Sequence, residues 1–204
     1  MNASTTAPGD TMGQTEQSDA GSSEPPEPTN RGDEAAAALT LHNETLRAVD
    51  ERWLRDHLAA SLAHLPQPVQ RVDVAIVDDA RMTELHVAYH NLDETTDVLT
   101  FDATETPGGP VEVDIAVCLD VAQREAERHG HRVERELLLY IIHGLLHCMG
   151  FDDHEADGFA AMHDEEDRVL SAIGVGRTFR VGGEGAGSPG SGSAIPPLHK
   201  DISG

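Results

Sequence analysis

The sequence predicts a single α+β domain: a small mixed sheet of about four strands packed by helices, with a histidine-bearing helix at its centre. Three observations predict it. Residues 72–76 and 111–117 alternate apolar and polar side chains with a period of two, as half-buried strands do. Other segments return apolar residues at helical spacing. Residues 137–142 are apolar on every side, which suits a helix buried all round. A chain of 204 residues is long enough for one such core.

The elements follow in order. Residues 1–37 carry no aromatic side chain and are rich in Ser, Thr, Gly, Pro, Asp and Glu. They bury too little apolar surface to offset their ordering entropy and are expected to form a disordered tail. They also lack the basic start and apolar block of a secretory signal. Leu39-Thr40-Leu41-His42 alternates and opens the domain as a strand. A helix capped by Asn43 or Thr45 comes next, with Leu46, Val49, Trp53, Leu58, Leu62 and Leu65 as its stripe and Pro66 and Pro68 as its end. Val72, Val74 and Ile76 form a strand with one buried face. Asp78 or Asp79 opens a short helix through Met82, Leu85 and Tyr89, and the polar residues 91–96 are a loop. Residues 97–101 and 111–117 are two strands joined by a hairpin or flap around Pro107-Gly108-Gly109-Pro110. Asp120 caps a helix that Gly130 ends. The buried helix then runs through His143 and His147 and closes at Gly150 in a left-handed turn. The last helix, 157–173, turns Phe159, Met162, Val169, Leu170 and Ile173 to the core. Residues 181–204 form a Gly/Ser-rich disordered tail, which leaves 38–180 as the folded domain.

The net charge is −23 and is not confined to the tails. Residues 38–173 hold 28 Asp and Glu against 10 Arg and no Lys, a balance of −18. A nucleic-acid partner would need those few arginines gathered on one face. No run is long and apolar enough to span a membrane. The only cysteines, Cys118 and Cys148, are read as reduced thiols of a cytoplasmic protein.

The chemistry concentrates in His143-Gly144-Leu145-Leu146-His147-Cys148-Met149-Gly150-Phe151-Asp152-Asp153-His154. Histidines at i and i+4 share one helix face, so His143 and His147 can converge on one ion. A chain that turns at Gly150 can bring His154 to the same point. Three nitrogen ligands with a fourth position left to water describe a catalytic zinc site, holding one Zn2+, better than a structural one. Nickel and copper suit the same nitrogens. Zinc peptidases place a glutamate directly after the first histidine as general base. Here Gly144 stands there; it cannot take a proton, and it leaves room for a close strand or a substrate.

The run His-Gly-x-Leu-His-x-x-Gly-aromatic-Asp is similar to the motif of the YbeY endoribonucleases, bacterial ribosomal RNA maturation factors. Thr96-Asp97-Val98-Leu99-Thr100-Phe101 resembles that family's Thr-Asp-Val-Leu-Ser-Phe strand, and Asp114-Ile115-Ala116-Val117 its Gly-Asp-Ile-x-Ile strand. The blocks keep their order over roughly residues 39–173. The resemblance implies an α+β domain with a zinc ion held by three histidines. It implies a zinc-dependent, single-strand-specific endoribonuclease that matures ribosomal RNA, at the 16S rRNA 3' end, and serves ribosome quality control. The implied partners are single-stranded ribosomal RNA and the small ribosomal subunit or its proteins.

Four departures qualify the resemblance. The family's third histidine follows its aromatic-Asp pair directly; here Asp153 holds that position and His154 comes one later, so Asp153 offers an alternative oxygen ligand. His90 stands where the family has a loop arginine, and imidazole lacks the bidentate grip of arginine on a phosphate. Thr95 replaces a proline, and Val113 a glycine. The metal ligands are thus read as His143, His147 and His154, and the candidate catalytic residues as His90 and Asp97, with Asp153 a further candidate to orient water or shuttle a proton. His163 is read as a helix-surface histidine and Asp164-Glu165-Glu166-Asp167 as a solvated face. The rival reading is a ribosome-assembly factor that cuts nothing and holds zinc structurally.

Overall fold

The period-two segments pair into one mixed sheet. The structure, a computed structural model, describes residues 36–177. The tails read at 1–37 and 181–204 therefore lie outside the described residues, except for 36 and 37. Strands β1 (Ala38–Asn43), β2 (Val69–Val77), β3 (Val98–Asp102) and β4 (Val111–Cys118) lie in the order β1-β2-β4-β3. β1, β2 and β4 run parallel, while β3 pairs antiparallel with β4. The connections explain the directions. A crossover helix, α1 (Glu51–Leu62), separates β1 from β2, as a parallel pair requires. β3 and β4 are joined by a short hairpin, closed by Ala103 N donating to Glu112 O at 2.9 Å.

Alternation along the strands sends side chains to two apolar layers. Val72, Val74, Ile76, Val98, Val113, Ile115 and Val117 face the main core. Leu54 and Leu58 of α1, Leu119 and Ala122 of α3 (Leu119–His129), and the apolar residues of α4 (Val133–Cys148) complete it. Met162, Val169 and Leu170 of α5 (Ala156–Ala172) close it from outside. Val77, Leu99, Ala116 and Cys118 face the other way, onto Met82 of α2 (Asp79–His90). Every residue of α4 from Leu137 to Leu146 is buried. The all-round apolar run is thus the central helix of the domain.

Two helix starts differ from the sequence reading. Asn43 and Thr45 cap nothing. Asn43 Oδ1 accepts from Thr45 N at 3.0 Å and from Thr45 Oγ1 at 2.7 Å, a local turn of the kind such residues favour. Leu46 is fully exposed, and Asp50 caps α1 by accepting from Trp53 N at 3.0 Å. Asp120 lies inside the first turn of α3 and accepts from Asp79 N at 2.8 Å, which ties α3 to the start of α2. Asp78 does cap α2, through Arg81 N at 2.9 Å. Neither Cys118 nor Cys148 is in a disulfide, and burial pushes the Cys118 thiol up to about 11. Among the described residues no helix is long and apolar enough to cross a membrane.

Candidate metal centre

The site grows from the last turn of α4. That helix ends in a Schellman turn: Phe151 N donates to Leu146 O at 3.1 Å and Gly150 N to His147 O at 3.0 Å. Gly150 takes a φ of 93°, which a side chain would strain. The reversal delivers the Phe151 carbonyl to within 3.0 Å of His147 Nδ1. It also brings Asp153 back under the helix, only 6% exposed.

Hydrogen bonding fixes both imidazole tautomers. A carbonyl oxygen only accepts, so His147 Nδ1 carries a proton toward Phe151 O. His143 Nδ1 lies 2.6 Å from Glu166 Oε1. Burial alone would raise the Glu166 carboxyl, but the bonds from His143 and His163 outweigh it and hold Glu166 below the usual range. Glu166 is therefore an ionised acceptor, and His143 Nδ1 the donor. Both Nε2 atoms of the neutral rings are then lone pairs, and they face each other at 2.9 Å. Two acceptors at that distance repel unless a cation or a proton lies between them.

Asp153 adds a third donor atom. Its Oδ2 lies 3.9 Å from His143 Nε2 and its Oδ1 3.7 Å from His147 Nε2. Oδ1 is buried and accepts no hydrogen bond, a costly state for an oxygen anion unless a cation compensates it. One ligand atom from each of His143, His147 and Asp153 falls within 4.8 Å of the others. Around a tetrahedral ion with bonds of about 2.0–2.2 Å, ligand atoms stand roughly 3.3 Å apart, so the trio needs only small shifts to close on zinc. Donor set and orphaned oxygen both fit a divalent cation. Without one, a proton can bridge the rings. Burial alone would lower His143, yet the Glu166 bond and the nearby carboxylates hold it above its ordinary value. Burial and the neighbouring His143 push His147 down.

The sequence-read residues land as follows. His143 and His147 come together. His154 does not join their group; its Nδ1 bonds the Asp152 carboxylate and lies 3.9 Å from Asp153 Oδ1, in a second group made of Asp152, Asp153 and His154. Asp97 precedes β3 and is 6% exposed, with Oδ1 accepting from Thr96 Oγ1 at 3.0 Å and Val98 N at 2.9 Å. Burial pushes its carboxyl up, partly opposed by the charge of His143. His90 ends α2, with its ring edge-on to His86 at 5.4 Å. Gly144 answers to a close strand: a Cβ there would sit 2.5 Å from Thr100 Oγ1 and 3.6 Å from Val98 Cγ2, so with Thr100 in place α4 lies this near β3 only with glycine at 144.

The sequence reading places two residues beside the centre, Glu166 and His163, on the helix surface, with a supporting role for His163 as the lesser alternative. Glu166 is fully buried and His163 7% exposed, so neither belongs to a solvated face, and Asp167 is buried beside them. Glu166 Oε2 lies 2.7 Å from His163 Nδ1, which makes the carboxylate a bridge between His163 and His143. A signal existed. Met162, Glu166, Val169 and Leu170 share one stripe of α5, and an acid on an apolar stripe needs a buried partner. A cavity of about 350 Å³ opens beside the turn, lined by Met149, Gly150, Phe151, Asp152, Gly158 and Ala161.

The family model described as Endoribonuclease YbeY matches residues 36–174. The chain belongs to the YbeY endoribonuclease family. A curated YbeY endoribonuclease of Anaeromyxobacter dehalogenans is 37% identical over 133 residues, covering 64% of this chain and 69% of that protein. The YbeY endoribonuclease of Halalkalibacterium halodurans is 33% identical over 150 residues, 67% of this chain and 94% of its own length. A solved structure, the solution structure of TM1509 from Thermotoga maritima, is 24% identical and covers 65% of this chain and 89% of that one, with a TM-score of 0.45. The YbeY match spans every element from β1 to α5 and contains all the residues of the centre described above.

Proposed function

We propose that this chain is a zinc-dependent, single-strand-specific endoribonuclease that acts in the cytoplasm on ribosomal RNA, in maturation of the 16S 3' end and in ribosome quality control. The observation that carries the metal reading is the pair of Nε2 lone pairs, 2.9 Å apart, with an unbonded Asp153 oxygen beside them. Membership of the YbeY family carries the RNA. We assign His143, His147 and Asp153 as the residues that hold the ion, in preference to His154, because their ligand atoms already converge. When bound there, zinc supplies a Lewis acid toward a phosphoryl oxygen and makes water more acidic.

The protein's own residues do the rest. Glu166 and the Phe151 carbonyl keep the two imidazoles in the tautomer that turns Nε2 inward. Asp97, its carboxyl raised by burial, is assigned to take and return a proton at Oδ2, since Oδ1 is engaged by Thr96 and Val98. His90 is assigned to the RNA backbone as a hydrogen-bond donor to phosphate. Among the described residues the cationic surface is small. Arg47, Arg71, Arg81, Arg124, Arg128, Arg132 and Arg168 each already sit on a carboxylate. In this reading RNA is held chiefly at the metal and by contacts to the ribosomal subunit. The open cavity by the turn suits a polymer strand better than an enclosed small substrate.

His147→Ala tests the proposal. Zinc binding and cleavage of single-stranded ribosomal RNA should vanish together. A variant that binds no zinc and still cuts at the wild-type rate refutes it; zinc-loaded wild type that cuts nothing favours the assembly-factor reading.

A further inference from the structure

A second convergence of nitrogen and oxygen donors lies at the opposite end of α4. Gly130 closes α3 with a φ of 70°. His129 and His131, on either side of it, turn toward one another with ring centroids 5.7 Å apart. Beside them lies Glu136, from the first turn of α4 and 2% exposed. His129 Nδ1 stands 3.4 Å and His131 Nε2 2.8 Å from the same oxygen, Glu136 Oε1. The three ligand atoms all fall within 4.8 Å of one another.

The bonding of His131 decides what such a trio is built for. Its Nδ1 lies 3.2 Å from the Arg132 carbonyl, which only accepts, so Nδ1 carries the proton. Nε2 of the neutral ring is then a lone pair, 2.8 Å from another acceptor. It is buried and yet makes no hydrogen bond, because its axis misses Glu136 Oε1. In a simple imidazolium–carboxylate pair the N–H would point along that line. Two donors side by side and aimed past one another are arranged like two ligands of a common cation. The spacings of 2.8 and 3.4 Å bracket the roughly 3.3 Å expected around one tetrahedral zinc. Glu125 adds negative charge near Glu136. Half of the His129 side chain is exposed, which leaves the site open to solvent.

We propose that His129, His131 and Glu136 form a second divalent-metal site, of the zinc, nickel or copper class, that clamps the end of α3 to the first turn of α4. Two imidazoles and one carboxylate favour those ions over magnesium or calcium, which prefer all-oxygen shells. The inference stands apart from the nuclease reading, since neither RNA nor the His143 centre enters it.

The test uses the full chain, stripped of metal and titrated with zinc against a chromophoric chelator, then with cobalt followed by its visible absorption. Wild type should bind two ions. His143→Ala/His147→Ala should keep one. Adding His129→Ala should weaken that remaining ion by about tenfold or more. The proposal is overturned if the double variant binds no ion, or keeps one that His129→Ala leaves unchanged. Should the double variant not fold, the comparison is wild type against His129→Ala alone, an exposed position. Stoichiometry should fall from two to one or the second affinity weaken as above, and identical titrations overturn the proposal.

Discussion

His143 Nδ1 and Glu166 Oε1 stand 2.6 Å apart in the buried interior, joining α4 to the last helix. The pair decides which way the lone pair of His143 points, and Glu166 extends the same control to His163. Glu166→Gln offers one acceptor oxygen and a donating amide, so it cannot receive a proton from both histidines. Zinc affinity should fall by about 10- to 100-fold while the fold is kept, since such outer partners tune a metal site by that factor. Competition with a zinc chelator measures it; an unchanged affinity would remove Glu166 from the site.

Gly144→Ala forces a methyl into Thr100 Oγ1. Overpacking of this kind costs about 1–3 kcal/mol, read from the urea midpoint. Thr100→Ala removes the obstructing oxygen, which is buried and makes no hydrogen bond. The double variant should recover most of the loss, because the remaining Thr100 Cβ would stand at 3.6 Å. A double variant no better than Gly144→Ala alone would show that some other contact sets the spacing of α4 and β3.

Asp153 and His154 can be separated by substitution. Asp153→Asn should lower zinc affinity about 100-fold, and His154→Ala should change it only a few-fold. The opposite ranking, read by the same zinc competition, would make His154 the third ligand.

Burial raises the Asp97 carboxyl above its ordinary 3.8. A carboxyl with a raised folded value stabilises the fold below its unfolded value, and that contribution is lost as pH rises through the folded value. Asp97→Asn keeps an acceptor for Thr96 and Val98 but does not titrate. Metal-free Asp97→Asn should therefore gain stability relative to metal-free wild type as pH climbs from the acid range toward neutrality, in urea unfolding. Cleavage by the zinc-loaded variant should fall about 100-fold if Asp97 moves a proton. Parallel stability profiles would show that Asp97 is not strained by its charge.

Much of this architecture was legible because single patterns had single meanings. An all-apolar helical run ending in Gly150 could only be a buried helix with a left-handed close, and β2 and β4 alternate cleanly. The start of α1 was obscured because Asn43, Thr45 and Asp50 are all capping types, and Asn43 and Thr45 engage each other and the Arg47 backbone in a local turn. Glu166 was hidden inside a run of four acids, where composition suggests solvent and only its place on the apolar stripe of α5 says otherwise. Which residue after the turn approaches His143 and His147 was ambiguous because Asp153 and His154 are neighbours of ligand type. The backbone path beyond Gly150 decides which faces inward, and residue identities do not encode that path.

Metal dependence is tested most directly by one cycle of removal and return. Full-length protein, its single-stranded ribosomal RNA substrate in excess, is assayed as isolated, after chelation, and after one to two equivalents of zinc are restored. Cleavage should disappear on chelation and return with zinc, and the melting temperature should fall and recover by on the order of 10 °C, from roughly 2.7 kcal/mol of linkage at a hundredfold excess over Kd. Undiminished cleavage by protein shown to be free of metal would contradict the assignment of this centre.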